Sequence, residues 1–574
     1  MTDCIGCPLG VCVLPLPGPS VGRTVSYPDY IHEILEHAGL CYALVEPATL
    51  VDRLPELRVL VTVGGADLPD DVRQRVPSWV KNGGSWLAIG GTGALPELFG
   101  VEPERPAFEG WGMSLAVLGE GYLVPTVSSH PVLAGVCGPL HYFGGAAFGC
   151  RGGQALAHAL DAHQRTAERP VVVEARPGKG HCLLVAPDVT GTIVRIQQGI
   201  AVTRDGVSAP DGTCTLVDGA LKSGDGQVLD WLLDRQPVPG VPGLRAFLRC
   251  IADEWRDLIV RAMLHLAAEA GVALPVLWYH PRDLPAVGHL SHDTDLGEVP
   301  NADRLLEILG SLDLSSTWCV IPPGYAAEAI ARIRDAGHEL AMHFDAFERP
   351  HFTEEALESQ WRELSALFGL RPVSNKNHYL RFEGDTEFFD WLAARGIALD
   401  QSKGAARAGE AGYNFGTCHL FRPVAPDGRT IGVLELATPT QDLEVFAPSA
   451  LGDALLSSVM RHHGVLHLLF HPAHIMTDGV EDALRGAVER GRARGLEWWT
   501  AERLAHWELA RRGLRWASYE TRGNGLRVTV TAEQPLEGAT VLWLGEREGP
   551  TVERWGFRFS RTIADLDGEV VLRP

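Results

Sequence analysis

At 574 residues the chain is several times the size of a usual domain, so two to four hydrophobic cores are expected. Its 72 acidic residues against 50 basic ones leave a net charge of −22, which repels phosphate backbones and anionic lipid and argues against nucleic acid or a membrane surface as partner. The amino-terminal run MTDCIGCPLGVCVLPLPG lacks the basic flank and long apolar core of an export signal. No later run could span a bilayer either, so a cytoplasmic location is expected.

Eleven cysteines, an odd number without regular spacing, fit reduced thiols better than a disulfide framework. Cys4, Cys7 and Cys12 form a C-x2-C-x4-C cluster that could hold a metal with one more ligand. No second C-x2-C follows, and ordinary cysteines near a first strand are the simpler reading.

From residue 11 to about 100, short apolar runs (GVCVLPLP, CYALVEP, LRVLVTVGG, SWLAIGG) alternate with the amphipathic stretches 27–39 and 67–83. Strand and helix periods taking turns predict a parallel sheet covered by helices. RPVVVEARPGKGHCLLVAPDVTG adds a hairpin turned at Pro177-Gly178, and a helix over 225–233 is expected to close the domain. QPVPGVPG, residues 236–243, reads as a boundary.

A helical stretch over 244–269 precedes renewed alternation. Strands are expected at VGHLSHD, SSTWCVI, HELAMHF, PVSNKNHYL, 397–400, GVLELAT and VLHLLFH, with helical patterns between them. Seven such units make a β/α barrel the economical fold. In the tail, LRVTVTA, ATVLWLG and GEVVLRP alternate apolar and polar residues, as strands of an antiparallel sheet do. The chain therefore reads as α/β, with domains over 1–240, 241–513 and 514–574, the last a small β-sandwich-like module.

Reacting groups in such a barrel sit where strands end, at the carboxyl rim. Ser291-His292-Asp293-Thr294-Asp295 offers two carboxylates two residues apart, able to divide metal binding from proton transfer, although a hydrogen-bonded turn or helix cap is the commoner use of such a pair taken alone. His343, His378 and His471 terminate three further runs. A single histidine is more often structural, but three at neighbouring strand ends would converge.

The order SHDTD, GHELAMH, NHYLRFEG, LFHP resembles the polysaccharide deacetylase family over about residues 285–500. That resemblance implies a distorted β/α barrel with Asp293 as base, Asp295 as metal ligand and His471 as acid. The family's second motif carries two histidines four residues apart. Here His343 matches the first, but Phe347 stands at the second position. His378 is the favoured third ligand, with His351 and Asp345 as alternatives. Arg381 corresponds to the arginine that holds the base, and Arg371 is also near enough.

Residues 10–235 resemble the class I glutamine amidotransferase fold, of flavodoxin-like architecture. After SWLAI, however, the chain reads Gly90-Gly91-Thr92-Gly93-Ala94, without the nucleophilic cysteine, so glutaminase chemistry is expected to be absent.

The expected function is metal-dependent removal of an N-acetyl or related acyl group from a sugar or sugar conjugate, using one divalent ion such as zinc. Hydrolysis of a small non-carbohydrate amide is the second reading, and a non-catalytic carbohydrate-binding protein the third. The partner is then an acetylated sugar or small amide, with neither nucleic acid nor membrane involved, and a homo-oligomer is left open.

Overall fold

The computed structural model describes residues 4–15, 26–104, 117–161, 166–295, 297–347, 351–522, 525–545 and 550–574. Leu16 and Pro17, which end the first apolar run, lie outside the described residues. Two compact units result. Unit 1 comprises Met1–Ile193, Glu254–Asp283 and Ala510–Pro574, and unit 2 comprises Val194–Asp253 and Leu284–Leu509. Among the described residues no helix is long and apolar enough to cross a membrane.

Unit 1 contains a nine-stranded mixed sheet. Its parallel part runs Ala43–Leu44, Leu9–Val13, Val59–Val63, Ser85–Ile89, His181–Val185, starting in the second-first-third-fourth order of doubly wound folds. Val59–Val63 and Ser85–Ile89 are buried at every position, as strands covered on both faces must be. The helix Asp70–Lys81 sets Val72, Val76 and Val80 on one buried face, with acids in its first turn and Lys81 in its last, in accord with the helix dipole. The hairpin expected at Pro177-Gly178 joins Thr166–Ala175 to His181–Val185. From there the sheet continues antiparallel through Gln154–Asp161, Glu120–Pro125 and Leu140–Phe143, which the sequence did not indicate.

The tail forms the expected antiparallel strands, Arg515–Arg522, Gly525–Leu544, Thr551–Arg554 and Phe557–Leu572. They make one five-stranded sheet with Pro275–Leu277, whose register sets Val276 against Leu542. No second layer made by this tail alone appears among the described residues.

One buried carboxylate in unit 1 yields a test. Glu174 Oε1 faces His181 Nε2 at 2.6 Å, His130 Nε2 at 3.5 Å and His265 Nε2 at 3.6 Å. The imidazoles of His130, His181 and His265 around it outweigh burial and hold this carboxyl far below the usual carboxylate range. A depressed folded-state value means that its stabilisation is complete above pH ~4 and is lost as pH falls through that range. Glu174→Gln should cost about 1–3 kcal/mol at neutral pH, read as a lower denaturation midpoint for unit 1, and the difference from wild type should shrink in acid.

In unit 2 every one of the seven expected strand runs forms a strand. The parallel order is Leu434–Glu435, Leu399–Asp400, Ser374–Asn377, Glu339–Phe344, Thr317–Val320, Val287–Asp293, Val465–Leu469. The sheet curves as a half-barrel, with Glu497–Trp498 beside Val287–Asp293. Val202, Val238 and Ala246 lie in the same apolar core as Leu290, Trp318 and Phe344, so QPVPGVPG runs within unit 2 and not between units.

The helix expected over 225–233 does not form, and only a 3-10 turn, Ser223–Gly226, stands at its start. Side-chain carboxylates take the amides that a helix would need. Asp230 Oδ1 accepts from Leu232 N at 2.8 Å and Leu233 N at 2.7 Å, and Asp234 Oδ2 accepts from Asp230 N at 2.8 Å.

Candidate metal centre

Four parallel strands of one sheet in unit 2, two on each side of Thr317–Val320, bring the site together, because parallel strands expose their carboxyl ends on one rim. Val287–Asp293 delivers Asp293 and, just beyond it, Asp295, while Glu339–Phe344 delivers His343. His378 follows Ser374–Asn377, and His471 follows Val465–Leu469 by two residues.

Asp295 Oδ1 lies 3.3 Å from His343 Nε2 and 3.7 Å from His378 Nε2. The other oxygen, Oδ2, lies 3.6 Å from His471 Nε2. The ligand atoms of Asp295, His343 and His378 all fall within 4.8 Å of one another. His343 Nδ1 donates to Lys376 O at 2.8 Å, which leaves its Nε2 lone pair facing the carboxylate. That Nε2 and Asp295 Oδ1 are both buried without a hydrogen-bond partner. Two unpaired acceptors facing each other in the interior are costly unless a cation lies between them, so the donor set fits a divalent ion.

Supporting contacts fix these ligands. His378 Nδ1 pairs with Asp345 Oδ1 at 3.2 Å, the carboxylate-imidazole contact that orients metal-binding histidines. Asp345 is itself held by Gln360, a buried polar residue on the otherwise apolar face of the helix Glu354–Phe368. Gln360 Oε1 accepts from Asp345 N at 2.9 Å, and its Nε2 donates to Asp345 O at 2.7 Å. Beyond His378 the chain bends through Tyr379 and Leu380 at φ 56° and 50°, a left-handed conformation uncommon for such side chains and one that recurs at functional sites.

Burial alone would raise the Asp295 carboxyl, but the imidazoles of His343, His471 and His378 around it hold it well below the usual carboxylate range. His343 shifts the opposite way: burial would lower it, and the Asp293 and Asp295 carboxylates raise it.

Asp293 and His471 each have a dedicated partner. Lys376 Nζ stands 3.2 Å from Asp293 Oδ1 and donates to Ser291 Oγ at 2.5 Å, and Ser291 Oγ in turn meets His467 Nε2 at 2.9 Å. His471 Nδ1 donates to Asp442 Oδ2 at 2.5 Å, while its backbone N–H donates to Asp442 Oδ1 at 2.7 Å. Against a lowering by burial, the charge and hydrogen bond of Asp442, then the charges of Asp293 and Asp295, push the His471 imidazolium up to about 9.

Arg381 is not brought to Asp293. It pairs with Glu383 two residues on, and Lys376 stands beside Asp293 in its place. The guanidinium of Arg371 stacks on Trp361, His351 is exposed and outside the ligand group, and Phe347 packs on His378 and Tyr379. Lys376 and Asp442 escaped the sequence reading. The signal for Lys376 is the strand Ser374–Asn377 itself, four polar residues in a row that are all fully buried, where a barrel core would otherwise be apolar.

No protein-family model and no curated protein matches the chain. Its structural neighbours include a protein from Mycobacterium smegmatis assigned to the polysaccharide deacetylases (19% identity, TM-score 0.33, 44% of this chain and 98% of that one). Others are a PuuE allantoinase (14% identity, TM-score 0.32, 40% and 93%) and a CE4-family pseudoenzyme from Bacillus anthracis (15% identity, TM-score 0.26, 39% and 66%). Likenesses at these scores carry no argument about activity.

None of these comparisons supports the amidotransferase resemblance of the first domain. After Ser85–Ile89, a Cβ added at Gly91 would sit 2.8 Å from Gly64 O, so that turn is packed against backbone and is tight for steric reasons.

Proposed function

We propose that unit 2 is a metal-dependent hydrolase that removes an N-acetyl or related acyl group from a sugar or sugar conjugate. The observation that carries this reading is the placement of two differently supported proton-transfer groups around one ligand set. Asp293 lies 3.9 Å from His343 Nε2 and is paired with a lysine, while His471 lies 3.6 Å from Asp295 and is paired with an aspartate.

Asp295, His343 and His378 would hold the ion, which when bound supplies polarisation of a carbonyl oxygen and acidification of a water. The chain's own groups do the rest. Asp293, held in place by Lys376, takes a proton from the attacking water. His471 keeps its proton against Asp442 until the leaving amine or alcohol needs it, and gives it up from Nε2. Neither step requires a covalent enzyme intermediate.

The test is metal analysis together with acetate release from a panel of N-acetylated sugars. His343→Ala should remove about one zinc-class ion per chain and abolish acetate release. Unchanged metal and activity in that variant would place the site elsewhere.

A further inference from the structure

The cysteine cluster of unit 1 is not the one that the spacing suggests. Cys12, on the strand Leu9–Val13, stays apart, its thiol pushed up to about 12 by burial and then by the charge of Glu46. The third sulfur near Cys4 and Cys7 is that of Cys41, which precedes the strand Ala43–Leu44.

Cys41 Sγ lies 3.3 Å from Cys4 Sγ and 3.8 Å from Cys7 Sγ. Four sulfurs at about 2.3 Å from a tetrahedral zinc stand about 3.8 Å apart, so these separations approximate the edges of one coordination polyhedron. An iron-sulfur cluster, which places its cysteines around several metal atoms, would need them farther apart.

The chain is shaped for this at each sulfur. Cys7 N donates to Cys4 O at 3.1 Å, closing a turn in which Gly6 takes φ 82°, and a Cβ there would meet Tyr519 O at 2.6 Å. The turn thus brings two cysteines three residues apart onto one side. Backbone bonds anchor this turn and Cys41: Cys4 N to Tyr42 O at 3.3 Å, Ile5 N to Ala517 O at 3.3 Å and Cys41 N to Pro275 O at 3.2 Å. All three cysteines are 2% exposed or less, so the group is closed to substrate.

We infer that Cys4, Cys7 and Cys41 bind one zinc-class ion through three sulfurs, as a structural site of unit 1. Among the described His, Cys, Asp and Glu side chains no fourth ligand joins them. Binding replaces the thiol protons, which leave to solvent, with a soft divalent ion. The role is to tie the amino-terminal turn to the segment after the helix Ile31–Ala38.

The test uses the full chain purified without chelator, and then the same protein exchanged with cobalt(II). Sulfur ligation gives cobalt an intense near-ultraviolet charge-transfer band, which the sulfur-free set Asp295, His343, His378 cannot produce. Wild type should carry about two zinc-class ions per chain and His343→Ala about one, both with the band, whereas Cys7→Ser and Cys41→Ser should lose the band. If the serine variants do not fold, titrating wild type with a mercurial should release one zinc as three thiols react. A band that is absent from folded wild type, or that survives in a folded serine variant, would overturn the assignment. So would a Cys4–Cys41 disulfide found by peptide mapping of freshly purified protein. Zinc fully retained in His343→Ala would instead count against the reading of unit 2, leaving this one intact.

Discussion

Asp293→Asn should reduce turnover by about 100-fold or more while the bound metal stays in place. The substitution keeps the volume of a residue that is 3% exposed, so packing survives while the proton acceptor and its negative charge beside Lys376 are lost. The measurement is single-turnover acetate release beside metal content on the same preparation. Loss of activity together with loss of metal would make Asp293 a ligand and not a base. Near-normal turnover would mean that the barrel uses another acceptor.

His471→Ala should have an effect of similar size, for the complementary reason that the leaving group is no longer protonated. Its pH dependence is more informative. With the imidazolium raised to about 9 by Asp442, wild-type activity should persist through neutral pH and decline as pH rises through that value. Asp442→Asn removes the main supporting charge, so the alkaline limb should move down toward the ordinary histidine range near pH ~6.5. Stability follows the same sign. A raised folded-state value means that the His471–Asp442 contribution is complete below pH ~6.5 and is lost as pH rises through about 9. An alkaline limb that does not move in Asp442→Asn would exclude His471 as the group it reports.

What the sequence made legible follows from where information is local. The strands of unit 2 announce themselves as apolar runs, and the residues ending those runs are, by the geometry of parallel strands, residues of one rim. Asp293, Asp295, His343, His378 and His471 could therefore be named together before their distances were known. Lys376 could not, because an all-polar strand has no hydrophobic period to mark it, and Arg381 stood nearby as a more conspicuous cation. Asp442 sits in the connection between Leu434–Glu435 and the helix Ser449–His462, where only the folded chain decides which side chain reaches His471. Cys41 is separated from Cys7 by 34 residues, so spacing pointed to Cys12 although the sheet carries that thiol elsewhere. The expected helix at 225–233 fails for the opposite reason, since its aspartates bond their own backbone, a local preference that apolar periodicity does not register.

The three-segment composition of unit 1 bears on the order in which the protein can be made. Unit 2 ends at Leu509, so all of its residues have been synthesised before the last part of unit 1 appears. Unit 1 begins at the amino terminus but needs Ala510–Pro574: Arg512 pairs with Glu33, Arg511 Nη2 donates to His37 O at 2.7 Å, and Tyr519 N donates to Ile5 O at 2.9 Å. Domains usually mature in the order in which they leave the ribosome, and contacts across several hundred residues form slowly. Here residues 1–193 belong to a unit that is completed only after all of unit 2 has been made. A nascent chain halted before residue 510 should hold a protease-resistant unit 2 beside a protease-sensitive amino-terminal segment, and a carboxyl-terminal truncation should act as a folding defect of the opposite end of the chain.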